Sequence, residues 1–125
     1  MSKHQILYIE DNDDNFRLVE RILKRLGLEL DRATTAASGI QMAQTNQYAL
    51  VLTDILLPDN SIDEVHYHLL YPLRQQIGPN VPLVAVTAHA FHFDEAFLLA
   101  HGCDYFVAKP LHVLEFQTLI TQLLA

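Results

Sequence analysis

The stretch Tyr48–Pro58 reads YALVLTDILLP, an apolar run broken by one carboxylate, Asp54. Its side chains do not alternate in polarity, so residues 49–55 predict a strand buried on both faces, as in the middle of a parallel sheet. A carboxylate inside such a run is costly to bury. It is tolerated where the strand emerges, which puts Asp54 at a rim. Outward from this strand, short apolar runs alternate with amphipathic segments. QILYIE (5–10), LELDRA (28–33), PLVAVTA (82–88) and CDYFVAK (103–109) read as four further strands.

The intervening segments are helical. FRLVERILKRL (16–26) has apolar residues at 16, 19, 22, 23 and 26; Asn12 to Asp14 supply caps and Gly27 a stop. TAASGIQMAQTN (35–46) is a helix with Gly39 as its weak spot. SIDEVHYHLLYPLRQQIG (61–78) begins as a helix that Pro72, lacking a backbone donor, should end or kink. FDEAFLLAHG (93–102), capped by Asp94, and LHVLEFQTLITQLLA (111–125) are the last two. Five strands alternating with five helices predict an α/β fold, a doubly wound parallel sheet with right-handed crossovers and helices on both faces.

Composition narrows the function classes. The 125 residues suit one domain, 1–125, with no output domain; half are apolar and 18% charged, which argues against disorder. No run approaches a membrane span and no export signal opens the chain. A single cysteine, Cys103, reads as a small core residue and suits a cytoplasmic protein. A net charge of −7 argues against nucleic acid as the main partner. Four of the eight Lys/Arg residues, Arg17, Arg21, Lys24 and Arg25, crowd one helix. They form either a solvated face or a docking face for an acidic partner.

Ligands of such sheets bind at the carboxyl ends of the strands. The polar residues there are Glu10 and Asp11, Asp54, Thr87, and Lys109 before Pro110. Three clustered carboxylates repel unless a cation sits among them. Hard oxygen ligands with room for water suit Mg2+, with Mn2+ as a substitute. A lysine and a threonine hydroxyl beside them can hold an anion. The chemistry indicated is phosphoryl transfer to or from a carboxylate.

At this point the chain resembles the receiver domain of two-component response regulators, the CheY-like group. The resemblance rests on ILYIEDN, TDILLP, VTA and AKP, in order and across the whole chain. It implies the strand order 2-1-3-4-5 and a flavodoxin-like three-layer sandwich. It implies that Asp54 is the phosphoacceptor, taking its phosphoryl group from a histidine kinase or a histidine phosphotransfer protein. Asp11 would bind Mg2+ together with Asp54 and the backbone carbonyl of Leu56, and Glu10 would contribute from an outer shell or through water. Thr87 and Lys109 would each hold a phosphoryl oxygen, Lys109 being aimed by a cis peptide before Pro110. Phe106 takes the place of the family's switch aromatic. The basic first helix is where receivers commonly meet the kinase.

The chain departs from the family's pattern after TDILLP. Receivers usually have a turn such as M-D-G there, whereas DNSID contains no glycine, and the Asp54–Thr87 interval is slightly long. A rebuilt loop or an irregular third helix is the expectation. Leu56 and His89 occupy the positions that tune dephosphorylation in the family; an apolar Leu56 gives a hydrolytic water nothing to bond and predicts slow loss of phosphate. Output is expected through contact with a downstream protein. A charge-laced dimer is not expected, because Lys109 is the only basic residue from Ala88 onward, leaving a monomer or weak dimer. Phe91, Phe93, Phe97, Leu111, Phe116 and Leu123 offer an apolar partner face in so far as they are exposed.

Other readings compete. DNDDN (11–15) starts like a calcium loop, but Phe16 and Ile22 stand where glycine and glutamate are required. Histidine-based metal binding is disfavoured, because His66 and His68 point to different sides of a helix and His89 and His92 share a face only if their loop is helical. A strand followed by D-x-D also resembles haloacid-dehalogenase-type phosphatases, with Asp11 as nucleophile and Asp13 as acid/base. A pseudo-receiver, an interaction module that is never phosphorylated, is the remaining alternative.

Overall fold

A computed structural model describes residues 5–88 and 95–125. Strands β1 (Gln5–Ile9), β2 (Glu29–Ala33), β3 (Leu50–Thr53), β4 (Leu83–Thr87) and β5 (Tyr105–Ala108) form one parallel sheet in the order β2-β1-β3-β4-β5. The expected doubly wound topology is therefore present. The three inner strands are buried almost throughout and the two edge strands are not.

Successive side chains point to opposite faces, so the core has two halves. Ile6, Tyr8, Leu50, Leu52, Val84 and Val86 pack with residues of α1 (Asp13–Arg25) and α5 (Val113–Leu123). Leu7, Ile9, Val51, Leu83 and Ala85 pack on the other side with residues of α2 (Ala36–Thr45), α3 (Tyr71–Ile77) and α4 (Glu95–Ala100). Each large aliphatic side chain so buried contributes roughly 1.5–3 kcal/mol. Cys103 is in the second half of the core, where burial pushes its thiol up to about 12. No helix among the described residues is long and apolar enough to cross a membrane.

Local chemistry explains where the helices differ from expectation. The first begins at Asp13, three residues early, because the Asn12 side chain accepts from Asn15 N and Asp13 and Asp14 favour the positive end of the helix. Gly39 is no weak spot. A Cβ there would lie 2.7 Å from Ile9 Cγ1 and closer still to Cδ1, so its small size lets α2 lie against β1.

Pro72 does not end the third helix. The irregularity lies before it, as a 3-10 turn (Ile62–Glu64) and a π-helical segment (His66–Leu70), after which α3 runs on with Pro72 in its first turn. Pro72 has no N–H to give to the turn before it, and a widened turn at that point accommodates its ring against the preceding carbonyls. Arg74 fastens the far end of α3, bonding the carbonyls of Gly78 (2.9 Å), Val81 (2.8 Å) and Gly102 (2.6 Å) and the Asp104 carboxylate (2.8 Å). Of the expected apolar face, Phe116 is core, Leu111 and Leu123 lean on that core, and Phe97 is partly exposed. Phe91, Phe93, His89, His92 and Asp94 lie outside the described residues.

Candidate phosphoacceptor site

Strand register brings the candidate residues to one rim. Ile9 pairs with Thr53, and Thr87 with Ala108. The ladder continues past the strands: Asp54 N donates to Ile9 O at 2.9 Å and Lys109 N to Thr87 O at 3.0 Å. Glu10, Asp54 and Lys109 thus leave the sheet side by side, with Thr87, itself buried, closing β4.

Asp54 is only 6% exposed. Its Oδ1 accepts from Ile55 N at 2.7 Å and its Oδ2 from Lys109 Nζ at 3.2 Å. The Lys109 ammonium also contacts Glu10 Oε1, so one cation serves two buried carboxylates. Glu10 is wholly buried, and its remaining donors are the Tyr8 hydroxyl, 2.9 Å from Oε1, and Asn12 N, 3.3 Å from Oε2. Burial pushes the Glu10 carboxyl above the ordinary glutamate range, and the Lys109 ammonium draws it back only in part. Burial, and then the Glu10 charge, likewise push the Tyr8 hydroxyl upward.

Asp11 stands exposed at the mouth. Carboxylate oxygens of Glu10, Asp11 and Asp54 lie within 4.8 Å of one another. Two are buried and one faces solvent, so an all-oxygen donor set has an open side for water. That donor set fits Mg2+. The Lys109–Pro110 bond is cis.

The loop beyond Asp54 is closed by Asn60 in place of a glycine. Its side chain accepts from Leu57 N at 2.7 Å and donates to Ile55 O at 3.0 Å, a job suited to an Asn side chain. Asp59 reaches across to α2, whose first amides, Ala36 N and Ala37 N, donate to its carboxylate at 2.8 and 2.9 Å. Slight desolvation raises the Asp59 carboxyl, but the bonds from Ala37 and Ala36 outweigh it and hold the group below the ordinary aspartate range. Leu56 is half-buried against the core.

Elsewhere, Phe106 packs on the α2–α4 side of the core and borders a groove of about 440 Å³ with Lys109 and Phe116. Arg17, Arg21, Lys24 and Arg25 are all exposed on α1, the helix that follows Asp11. Sequence reading passed over Tyr8 and Arg32. Arg32 donates to Glu10 O at 3.1 Å, pairs with Asp13 at 2.8 Å and lies 4.7 Å over the Phe16 ring. Asp13, the acid/base of the phosphatase reading, is therefore engaged in an ion pair. Period-two spacing from Glu10 was the available signal for Tyr8.

Residues 6–121 match the family model of the response regulator receiver domain. The chain belongs to this family. This receiver is 30% identical over 111 residues to the polar-differentiation response regulator DivK of Brucella ovis, covering 89% of the chain and 88% of DivK. It is 28% identical to part of hybrid signal transduction histidine kinase G of Dictyostelium discoideum, matching 94% of the chain but 3% of that protein's length. The receiver domain of a sensor histidine kinase from Pseudomonas aeruginosa PAO1 superposes with a TM-score of 0.82 at 27% identity, over 98% of both chains. That receiver carries a magnesium ion in its active-site cleft. The present receiver is a phosphoacceptor domain of two-component signalling.

Proposed function

We propose that Asp54 is the residue that takes up the phosphoryl group. The observation that carries this reading is the pairing of a buried Asp54 carboxylate with Lys109 at 3.2 Å. An Asp54 oxygen attacks the phosphorus of a donor phosphohistidine; the new O–P bond forms as the N–P bond breaks, and the electron pair returns to the imidazole nitrogen. Lys109, already at the acceptor, neutralises one phosphoryl oxygen, and Thr87 donates its hydroxyl to another. Bound Mg2+, or Mn2+ in its place, supplies further charge neutralisation. Asp11, Asp54 and the Leu56 carbonyl would hold that ion, with Glu10 behind them.

The donor is a histidine kinase or a histidine phosphotransfer protein, met by the basic face of α1. Output is contact with a downstream protein, favoured by a shift between two conformations once Thr87 and Lys109 gain a phosphoryl partner. Phe106, beside an open groove, has room to take part. The domain's own chemistry is confined to gaining and losing this phosphoryl group.

Acetyl phosphate, or beryllofluoride with Mg2+, tests the reading. Wild type should add one phosphoryl group's mass with acetyl phosphate and show amide shifts around Asp54, Thr87 and Lys109 with either reagent, and Asp54→Asn should do neither. Uptake that survives Asp54→Asn would favour Asp11 and the phosphatase reading. No response from wild type would indicate a pseudo-receiver.

A further inference from the structure

Tyr8 is a core side chain of β1 whose polar atom reaches the site. It lies on β1 two residues before Glu10, so the two side chains share a sheet face. Its ring is wholly buried and stacks on Phe16 at 5.8 Å. Phenylalanine would fill the same volume with no polar atom to satisfy. The buried hydroxyl therefore needs a partner, and it has Glu10 Oε1 at 2.9 Å.

Three donors fix the Glu10 carboxylate. Tyr8 holds it from β1, Asn12 N from the start of α1, and Lys109 from the end of β5. Lys109 and Tyr8 meet on the same oxygen. Without the hydroxyl, Oε1 would answer to Lys109 alone, and only the longer bond from Asn12 N, 3.3 Å from Oε2, would oppose the pull of the ammonium. Glu10 would then follow the ammonium toward Asp54 instead of standing behind it.

We propose that Tyr8 is a positioning residue of this receiver: its hydroxyl fixes the Glu10 carboxylate and thereby preorganises the Asp11–Asp54 pocket for a divalent cation. The proposal rests on the metal-assisted reading of the site given above. A hydrogen bond to a group behind the metal ligands acts by orienting it, and losing one weakens binding without removing a ligand.

Mg2+ titrations followed by amide shifts of Asp11 and Asn12 test it in four proteins: wild type, Tyr8→Phe, Glu10→Gln and the double variant. Tyr8→Phe should raise the Mg2+ dissociation constant about tenfold, the lower end for an outer-shell hydrogen bond. In the Glu10→Gln background the same change should have little further effect, because its partner is altered. An unchanged dissociation constant in Tyr8→Phe, or an equal factor in both backgrounds, would overturn the role of Tyr8 while leaving the site intact. A wild type without a saturable Mg2+ response would instead overturn the metal reading, and this proposal with it. Should Tyr8→Phe fail to fold, tyrosine labelled at Cζ serves. The Tyr8 resonance, recognised by its proximity to Phe16, should move with Mg2+ in wild type and stay still in Glu10→Gln; movement in neither protein overturns the proposal.

Discussion

Lys109 holds its ammonium 3.2 Å from Asp54 Oδ2 while also touching Glu10 Oε1. The side chain is only 10% exposed, so the charges are screened weakly by solvent. Removing the cation leaves two buried carboxylates uncompensated, a loss of about 3 kcal/mol in comparable cases. Lys109→Gln should therefore be destabilised at neutral pH. The sign with pH follows from Glu10, whose carboxyl is already raised by burial. A raised carboxyl binds its proton more tightly folded than unfolded, so the deficit should be small below about pH 4.3, the ordinary glutamate value, and grow as pH rises through the folded value. Urea midpoints at pH 5 and pH 8 measure this; equal deficits at both would refute it.

Asp59 behaves in the opposite sense. Its carboxyl is held low by the amides of Ala36 and Ala37, so its stabilisation is present above the ordinary aspartate value of about 3.9 and fades as pH falls through the folded one. Asp59→Ala should lose about 1 kcal/mol at pH 7, as for other lost N-terminal caps. Thermal melts of both proteins should converge near pH 2. A pH-independent gap would show that the carboxylate charge is irrelevant.

Gly39 lies beneath Ile9. Gly39→Ala gains up to about 1 kcal/mol of helix propensity but forces a methyl into the Ile9 side chain, at a cost of roughly 1–3 kcal/mol. A net loss is expected, and adding Ile9→Val, which removes the colliding Cδ1, should recover part of it. A single variant more stable than wild type would mean that α2 can move off β1 freely.

Much of this was legible. The inner strands announced themselves because burial on both faces removes alternation; Asp54 and Thr87 followed from where those strands end, and Lys109 from the end of the edge strand β5. The third helix was legible as irregular, through DNSID, the long Asp54–Thr87 interval and Pro72, but not as a π-helical turn. Leu69 and Leu70 of that turn are buried in the core with Leu73, a packing that no local pattern encodes. Tyr8 escaped because a tyrosine in an apolar strand looks like any core aromatic until its hydroxyl is located. DNSID stood out as a loop without glycine, but the partners of Asp59 did not, since a cap contributed from 23 residues away leaves no trace near the helix it serves.

Leu56 bears on lifetime. A half-buried aliphatic side chain beside Asp54 offers a water no hydrogen bond, so the phosphorylated form should persist for minutes or longer. Leu56→Asn should shorten it about tenfold, a modest share of what a positioned polar group can contribute. Phosphate release timed after removal of acetyl phosphate decides between this and a barrier set elsewhere.

The basic face of α1 should govern encounter more than chemistry. Arg17→Glu with Arg21→Glu should slow transfer from a donor about tenfold at low salt, and the gap should close near 0.5 M salt as screening takes over. A transfer rate indifferent to both reversal and salt would place docking on another surface.

The π-helical segment at His66–Leu70 has one more consequence. A turn that closes through five residues, where an α-helix needs four, stores one residue of contour length without displacing what lies on either side. β4 beyond it meets β3 in register, Val51 opposite Leu83 and Thr53 opposite Ala85. Shortening the chain by one residue within 66–70 should convert the turn to ordinary α-helix and leave the phosphoacceptor rim where it is.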